Sequence, residues 1–335
     1  MGVHMRKFKL ITTMNISNQM PKQFDLTCYE LDSGNWIQRL NKLIKLIFIA
    51  AKSDALLVGY PDIDILIVCF LAKIFSAGKT KTFVYDIILQ KPNNIRNLLI
   101  AYCHIFLFWG IDKFICHHKD TSGYERYYKI NNNKFHYVPF KANNYNMLSN
   151  IEVKDGDYVL ACGASCRDYE TFVKSIMNLG YSTKIVLPEE NVAEFHHTTF
   201  NYDSLPSYIE IHRKPWFDKI TWNEFLAKSR VVVIPIKKNT IQQAGLSVLL
   251  ESFALGKPVV ITEGEATKGI ITSDVAMIVP REDTEKMTKA IKKIWCDDEY
   301  RMAISKNAKD FALELGGTER MVNDIFQSIC TYLVN

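Results

Sequence analysis

No C-x-x-C pair occurs among the eight cysteines of this 335-residue chain, which stand at 28, 69, 103, 116, 162, 166, 296 and 330. Structural zinc sites and thioredoxin-like dithiols use such pairs, so neither is expected. Most of the thiols fall in apolar runs, which suits reduced cysteines of a cytoplasmic protein better than a disulfide framework. The string Cys116-His117-His118 also lacks zinc-motif spacing and reads as strand residues in chance proximity. No secretory signal is read at the N-terminus, and residues 1–5 (MGVHM) are set aside from the fold. No apolar run has the length of a membrane span: the most apolar helical stretch, Ile95 to Gly110, is too short and contains His104. Solenoid-type repeats and low-complexity segments are missing as well.

What is present is globular. Hydrophobic residues make up 48% and charged residues 23%, which excludes a disordered chain, and the length suits two ordinary domains. The net charge of +5 is uneven. Residues 1–150 hold 19 Lys/Arg against 10 Asp/Glu, a net of +9, whereas the remainder holds 22 against 26, a net of −4. A basic first half points to an anionic partner such as a phospholipid surface or a phosphorylated acceptor; a solvated lysine-rich surface is the alternative. Within that half, Trp36 to Ala51 mixes Arg39, Lys42 and Lys45 with Leu40, Leu43, Ile44, Ile47 and Phe48. Such a segment can lie on an anionic membrane, or pack on a core with a solvated lysine edge. The expectation is a cytoplasmic protein, peripheral at most, with no nucleic-acid partner.

Apolar β-branched runs alternate with helical periods along the whole chain, the mark of parallel sheets with helical crossovers. Strands are predicted near Phe8–Thr13, Leu56–Gly59, Thr82–Ile87, Lys113–His117 and His136–Val138, with helices at about 35–52, 63–76, 95–109 and 122–129. The polar, Asn-rich stretch Lys141 to Asp155 reads as a linker. A second set follows, with strands near Tyr158–Cys162, Thr183–Leu187, Ile209–His212, Val231–Ile236, Val259–Ile261 and Ala276–Ile278. Its helices fall at about 168–179, 222–228, 244–255, 283–295, 298–314 and 318–333. The reading is α/β: two Rossmann-like doubly wound domains, 6–145 and 155–335, facing a cleft.

The densest stretch is Val231 to Thr262, VVVIPIKKNTIQQAGLSVLLESFALGKPVVIT, which reads as strand, loop, helix, turn and strand. Gly256 stops the helix and Pro258 prevents its continuation. Gly245 leaves the other end open, where free backbone N–H groups bind anions. Glu251 is a lone acid in an apolar helix, a costly placement without a partner. A second signal is Gly163-Ala164-Ser165-Cys166-Arg167-Asp168 directly after a strand. Glycine there admits close approach, Arg167 offers a planar phosphate fork, and Asp168 suits a helix N-cap.

The stretch AGLSVLLESFALGKPVV resembles GT-B glycosyltransferases, especially the retaining enzymes of glycosyltransferase family 4, over about residues 155–335 and more weakly over 55–140. The resemblance implies a sugar-nucleotide site. Glu251 matches the second of two family glutamates and would contact the ribose; the first position holds Gln243 here. The backbone amides of Ala244, Gly245 and Leu246 would face the diphosphate, with Ser247 beside them. Arg167 would hold the diphosphate with Gly163 and Ser165 around it. Ala164 stands where the family usually has an arginine, so one phosphate contact is either missing or supplied by Lys237 or Lys238. The family's strand-end His-Asp becomes Tyr85-Asp86, leaving Asp86 to position or deprotonate the acceptor hydroxyl. Asp86, Arg167 and Glu251 are therefore the catalytic candidates. His212, Arg213 and Trp216 are candidates for the base. Asp62-x-Asp64 opens a helix and reads as an N-cap, so no metal is implied.

The implied activity is a hexosyltransferase-type transfer from a UDP- or GDP-sugar to a glycan or lipid-linked hydroxyl. It would be retaining and metal-independent, need no further cofactor, and serve bacterial-type surface polysaccharide or glycoconjugate synthesis. A catalytically degenerate binding subunit and a sugar-nucleotide epimerase remain the alternatives, the first favoured by Gln243 and Tyr85.

Overall fold

The computed structural model describes residues 7–16, 22–31, 35–148, 151–200, 204–214 and 218–334. The chain forms two compact units, Met1–Val138 with Glu319–Asn335, and Pro139–Thr318.

Unit 1 contains strands β1 (Phe8–Thr12), β2 (Phe24–Cys28), β3 (Ala55–Gly59), β4 (Lys81–Tyr85), β5 (Lys113–Cys116) and β6 (Phe135–Tyr137). Its first helices are α1 (Trp36–Ala50), α2 (Ile63–Phe75), α3 (Ile95–Leu107) and α4 (Ser122–Tyr128). The sheet order is β2-β1-β3-β4-β5-β6, with every pair parallel. Leu56, Leu57 and Val58 are fully buried, as an apolar run must be when a parallel sheet is covered on both faces.

Unit 2 begins with the short helix α5 (Tyr145–Leu148) and contains β7 (Val159–Cys162), α6 (Tyr169–Met177), β8 (Thr183–Pro188), α7 (Glu190–Phe195), β9 (Ile209–Lys214) and α8 (Lys219–Ala227). It continues with β10 (Val231–Ile234), α9 (Leu246–Ala254), β11 (Val259–Thr262), β12 (Met277–Val279), α10 (Thr284–Cys296) and α11 (Asp298–Leu315). Here the order is β12-β11-β10-β7-β8-β9, again all parallel. In register, Val233 lies between Ala161 and Val260. Alternate strand residues enter separate cores. Leu160, Val232 and Ile234 pack with Leu249 and Phe253 of α9. Val159, Ala161 and Val233 pack with Phe172 of α6 and Ile291 of α10. Helices thus cover both faces, and the doubly wound expectation is met twice. In unit 2 the connection reverses direction between the neighbours β7 and β10, the place where such sheets bind ligands beyond their carboxyl ends.

The domain limits of 6–145 and 155–335 need correction at both ends. Residues from Pro139 onward belong to unit 2, and the last helix, α12 (Thr318–Val334), runs into unit 1. Its apolar face explains why: Phe326 meets Phe24 at 5.4 Å, Tyr332 meets Phe83 at 5.5 Å, and the Met321 thioether lies 3.6 Å from the Tyr85 hydroxyl. The strand β2 was not anticipated, because its exposed Asp25 and Thr27 interrupt the apolar signal. Half of the eight cysteines, rather than most, are buried, and none is in a disulfide. Among the described residues, no helix is long and apolar enough to cross a membrane.

Candidate active site

The segment after β7 folds back on the segment after β10. Arg167 and Ile236 form an antiparallel bridge, the Asp168 amide donates to Pro235 O at 2.9 Å, and the Lys237 amide donates to Cys166 O at 2.9 Å. This places the Gly163 turn, Arg167 and the loop into α9 together at the strand reversal. Asp168 caps α6 as expected, accepting from the Thr171 amide at 3.1 Å.

Arg167 is not a surface arginine: only 2% of it is exposed. Its Nε donates to Cys162 O at 3.0 Å and its Nη1 to Ser165 O at 2.7 Å. Among the described residues no carboxylate pairs with it. A buried guanidinium held by two carbonyls and lacking a counter-charge is expensive unless an anion completes it. Gly163 makes the placement possible. Its φ is +109°, and a Cβ there would stand 2.4 Å from Arg167 Nη2. Gly245, at φ +92°, likewise lets the start of α9 pass Ile234, whose Cγ2 would lie 2.7 Å from a Cβ.

Among the described residues no side chain caps α9, so its positive end is open. The three amides expected at a diphosphate are not equally available, however. Ala244 donates to Gln242 O at 2.8 Å and Leu246 to Gln243 O at 3.3 Å, which leaves Gly245 and the first turn from the exposed Ser247. Gln243 is half-buried in that loop, while Gln242 is buried and donates to Cys166 Sγ at 3.2 Å. The Lys237 amine donates to His197 O at 3.0 Å and Thr199 Oγ1 at 3.2 Å. Lys238 is ion-paired with Glu282 at 3.3 Å. The sequence pattern gave no sign of Arg281, which ties the loop down. It donates to the carbonyls of Lys238 at 2.8 Å and Thr240 at 3.0 Å while pairing with Glu265 at 2.7 Å.

Glu251 is buried on α9, and its Oε2 accepts from Trp222 Nε1 of α8 at 2.9 Å. Burial raises its carboxyl above the ordinary 4.5, opposed by hydrogen bonds from Trp222 and Asn143 and by the charge of Lys141. Burial in turn lowers the Lys141 ammonium, with Glu251 drawing it back up. Lys141, Asn143, Trp222 and Glu251 thus form one polar chain. Trp222 is an aromatic neighbour of this acid that the sequence did not single out, and Trp216 lies outside the described residues. His212 is not at a strand end: it sits within β9, 3.2 Å from Glu210 Oε2, with its ring 4.9 Å from Phe225. Arg213 beside it donates to Pro188 O at 3.2 Å.

In unit 1 the carboxyl ends of β3, β4 and β5 gather a separate cluster. Asp86 is buried just past β4 at φ +52°, and Tyr60, just past β3, is at φ +44°. Non-glycine residues held at positive φ concentrate at functional sites. Burial, then the Asp86 charge, push the Tyr60 phenol up to about 12, and the two side chains are hydrogen-bonded. Tyr85 lies 2.9 Å from His117 Nε2, and His117 Nδ1 lies 2.8 Å from Val138 O. The carbonyl can only accept, so Nδ1 carries the proton and Tyr85 donates to Nε2. Cys116 Sγ meets His118 O at 3.3 Å, so this triplet is engaged in hydrogen bonds. Asp62 occupies the N-cap position of α2 without a side-chain cap bond, contrary to expectation, and Asp64 pairs with Arg39 at 2.6 Å. A cavity of about 450 Å³ in unit 1 lies at the opposite strand ends, bordered by Asp112 and Lys113 at the start of β5, and plays no part in either cluster.

Comparisons with known proteins accord with this geometry. Residues 216–311 match the family described as glycosyl transferases group 1. No protein of curated function matches the sequence. A glycosyltransferase from Rickettsia africae is similar in structure at 13% identity, covering 98% of this chain and 90% of its own, with a TM-score of 0.65. The Anabaena protein HepE, solved in complex with UDP and glucose, is similar at 13% identity, covering 92% and 86%, with a TM-score of 0.65. Sucrose-phosphate synthase from Thermosynechococcus elongatus is similar at 12% identity, covering 97% and 89%, with a TM-score of 0.61. The fold is that of the GT-B glycosyltransferases, and together with the family match over residues 216–311 it supports a glycosyltransferase enzyme.

Proposed function

We propose that this protein transfers a hexosyl group from a UDP- or GDP-sugar to a hydroxyl of a glycan or lipid-linked acceptor, with retention of configuration, as a family 4-type glycosyltransferase. The observation that carries the reading is Arg167: a buried cation, fixed over Gly163 at the strand reversal, with no carboxylate partner among the described residues. HepE, of the same fold, was solved with UDP and glucose, which supports a nucleoside-diphosphate donor.

In this reading the diphosphate lies between the Arg167 guanidinium and the open start of α9. Negative charge grows on the leaving oxygen as the glycosidic bond breaks, and fixed donors aimed at it favour that state over the bound donor. Glu251 accepts from the ribose hydroxyls in place of, or beside, its present donors Trp222 and Asn143, so its contribution is positioning. Gln243 offers an amide to the sugar hydroxyls. Asp86 is assigned to the acceptor hydroxyl, as the group that positions it or receives its proton. No step calls for a metal ion, and the acceptor class fits surface polysaccharide or glycoconjugate synthesis. Gln243 at the family's glutamate position favours, as a second reading, a subunit that binds a donor without turning it over.

Product analysis with a panel of sugar nucleotides tests this. Release of nucleoside diphosphate only with acceptor present is the expected result. An interconverted donor would instead identify an epimerase, and binding without turnover would identify the binding subunit.

A further inference from the structure

We propose that the outward faces of α1, α2 and α3 form one docking surface for an anionic lipid bilayer. Among the described residues, 25 large hydrophobic side chains are exposed, and 16 of them lie on these three helices or on Trp109 just after α3. The nine others are scattered, as on any soluble protein. The concentration is also ordered. Trp36, Leu40, Ile44 and Phe48 recur at four-residue spacing along α1. On α3 the stripe is Ile95, Leu99, Tyr102 and Phe106. Both spacings keep the side chains on one helical face, so each helix turns an apolar stripe outward while Leu46, Ile47 and Ala50 of α1 face the core. Ring contacts join the stripes: Phe48 of α1 meets Phe75 of α2 at 5.6 Å, and Phe70 of α2 meets Phe106 at 4.9 Å and Trp109 at 5.6 Å. A continuous apolar face of this extent marks an interaction site.

Charge selects the occupant. Neither α1 nor α3 contains an acidic residue. The acids at the start of α2, Asp62 and Asp64, both lie against Arg39, at 3.9 Å and 2.6 Å. Lys45 and Arg96 are exposed among the apolar stripes. A second copy meeting this face about a two-fold axis would bring the same cations together with no acid to receive them. An anionic bilayer accepts both features at once: aliphatic and aromatic side chains enter the headgroup boundary while the cations meet lipid phosphates. Trp36 and Trp109, 74% and 63% exposed, have the amphipathic rings that settle at that depth. Since α1 has 15 residues, about 22 Å of helix, it lies along the surface rather than crossing it.

The proposal goes beyond the donor-site reading and does not depend on it, because lipid binding needs neither donor nor turnover. The test is flotation of the full chain with phosphatidylcholine vesicles, with and without phosphatidylglycerol. The expected result is binding to the phosphatidylglycerol vesicles that weakens as salt rises. L40E/L99E should reduce it by roughly tenfold or more. K45E/R96E, which changes only exposed side chains, should reduce it by roughly tenfold or more, at about fivefold per cation. Circular dichroism melting confirms that each variant is folded. Failure of the unaltered protein to float with either vesicle overturns the proposal. So does a dimer in sedimentation equilibrium that L40E/L99E dissociates, since a second copy would then cover the face.

Discussion

The two units share one frame and use it differently. Each has six parallel strands, yet unit 2 covers itself with solvated charge whereas unit 1 turns apolar stripes outward. On α10 and α11 the exposed faces carry the pairs Lys289–Glu285 and Lys306–Asp310, and their exposed apolar residues, Met302 and Leu313, stand alone. On α1 and α3 there is no acid at all. The strand ends differ too. In unit 1 the polar groups satisfy one another, Asp86 with Tyr60 and His117 with Tyr85 and Val138. In unit 2 the buried guanidinium of Arg167 has, among the described residues, only carbonyl partners. The frame supplies positions; what stands at the strand reversal and on the outer helices decides what each unit engages.

If the chemistry depends on the unpaired charge in unit 2, Arg167→Ala should lower turnover by about 10²- to 10³-fold, measured by nucleoside diphosphate release. An unchanged rate would break the contrast between the two sets of strand ends. Gly163→Ala should act through the same arginine. Its methyl would fall 2.4 Å from Nη2 in a backbone region unsuited to alanine, costing about 2 kcal/mol of stability in a denaturant titration and roughly tenfold or more in turnover. Glu251 gives a pH signature. Because its pKa is raised in the folded chain, the ionised, ribose-accepting form is lost as pH falls through that raised value. The kcat/KM profile should therefore show an acid limb that Glu251→Gln removes. For stability the sign is opposite: protonation favours the folded chain, so this group's contribution is full below the ordinary 4.5 and fades as pH rises through the raised value. The smallest effect is expected at Lys306→Ala, where loss of an exposed pair at 2.9 Å should change stability by about 0.5 kcal/mol or less and leave turnover alone.

Much of this was legible in the sequence because it depends on local pattern. The apolar strands, Gly245, Gly256 and the Asp168 cap all follow from residue type and spacing. What was not legible depends on contacts between distant segments. The α12 helix follows unit 2 in sequence, but its Met321, Phe326 and Tyr332 find their partners in unit 1. Trp222 reaches Glu251 only because α8 packs beside α9, and Arg281 crosses to the 237–240 loop from the far side of β12 in sequence. The stripe on α1 was visible as an amphipathic pattern. Its outward direction was not, since periodicity groups residues on a face without saying which face meets the core.

The most direct test of the account is titration calorimetry of UDP and of uridine against the unaltered protein and Arg167→Ala. If the buried guanidinium holds the diphosphate, the substitution should weaken UDP by roughly tenfold or more while leaving uridine unaffected, because only UDP carries the charge that Arg167 lacks. Equal loss for both ligands, or loss for neither, would contradict it.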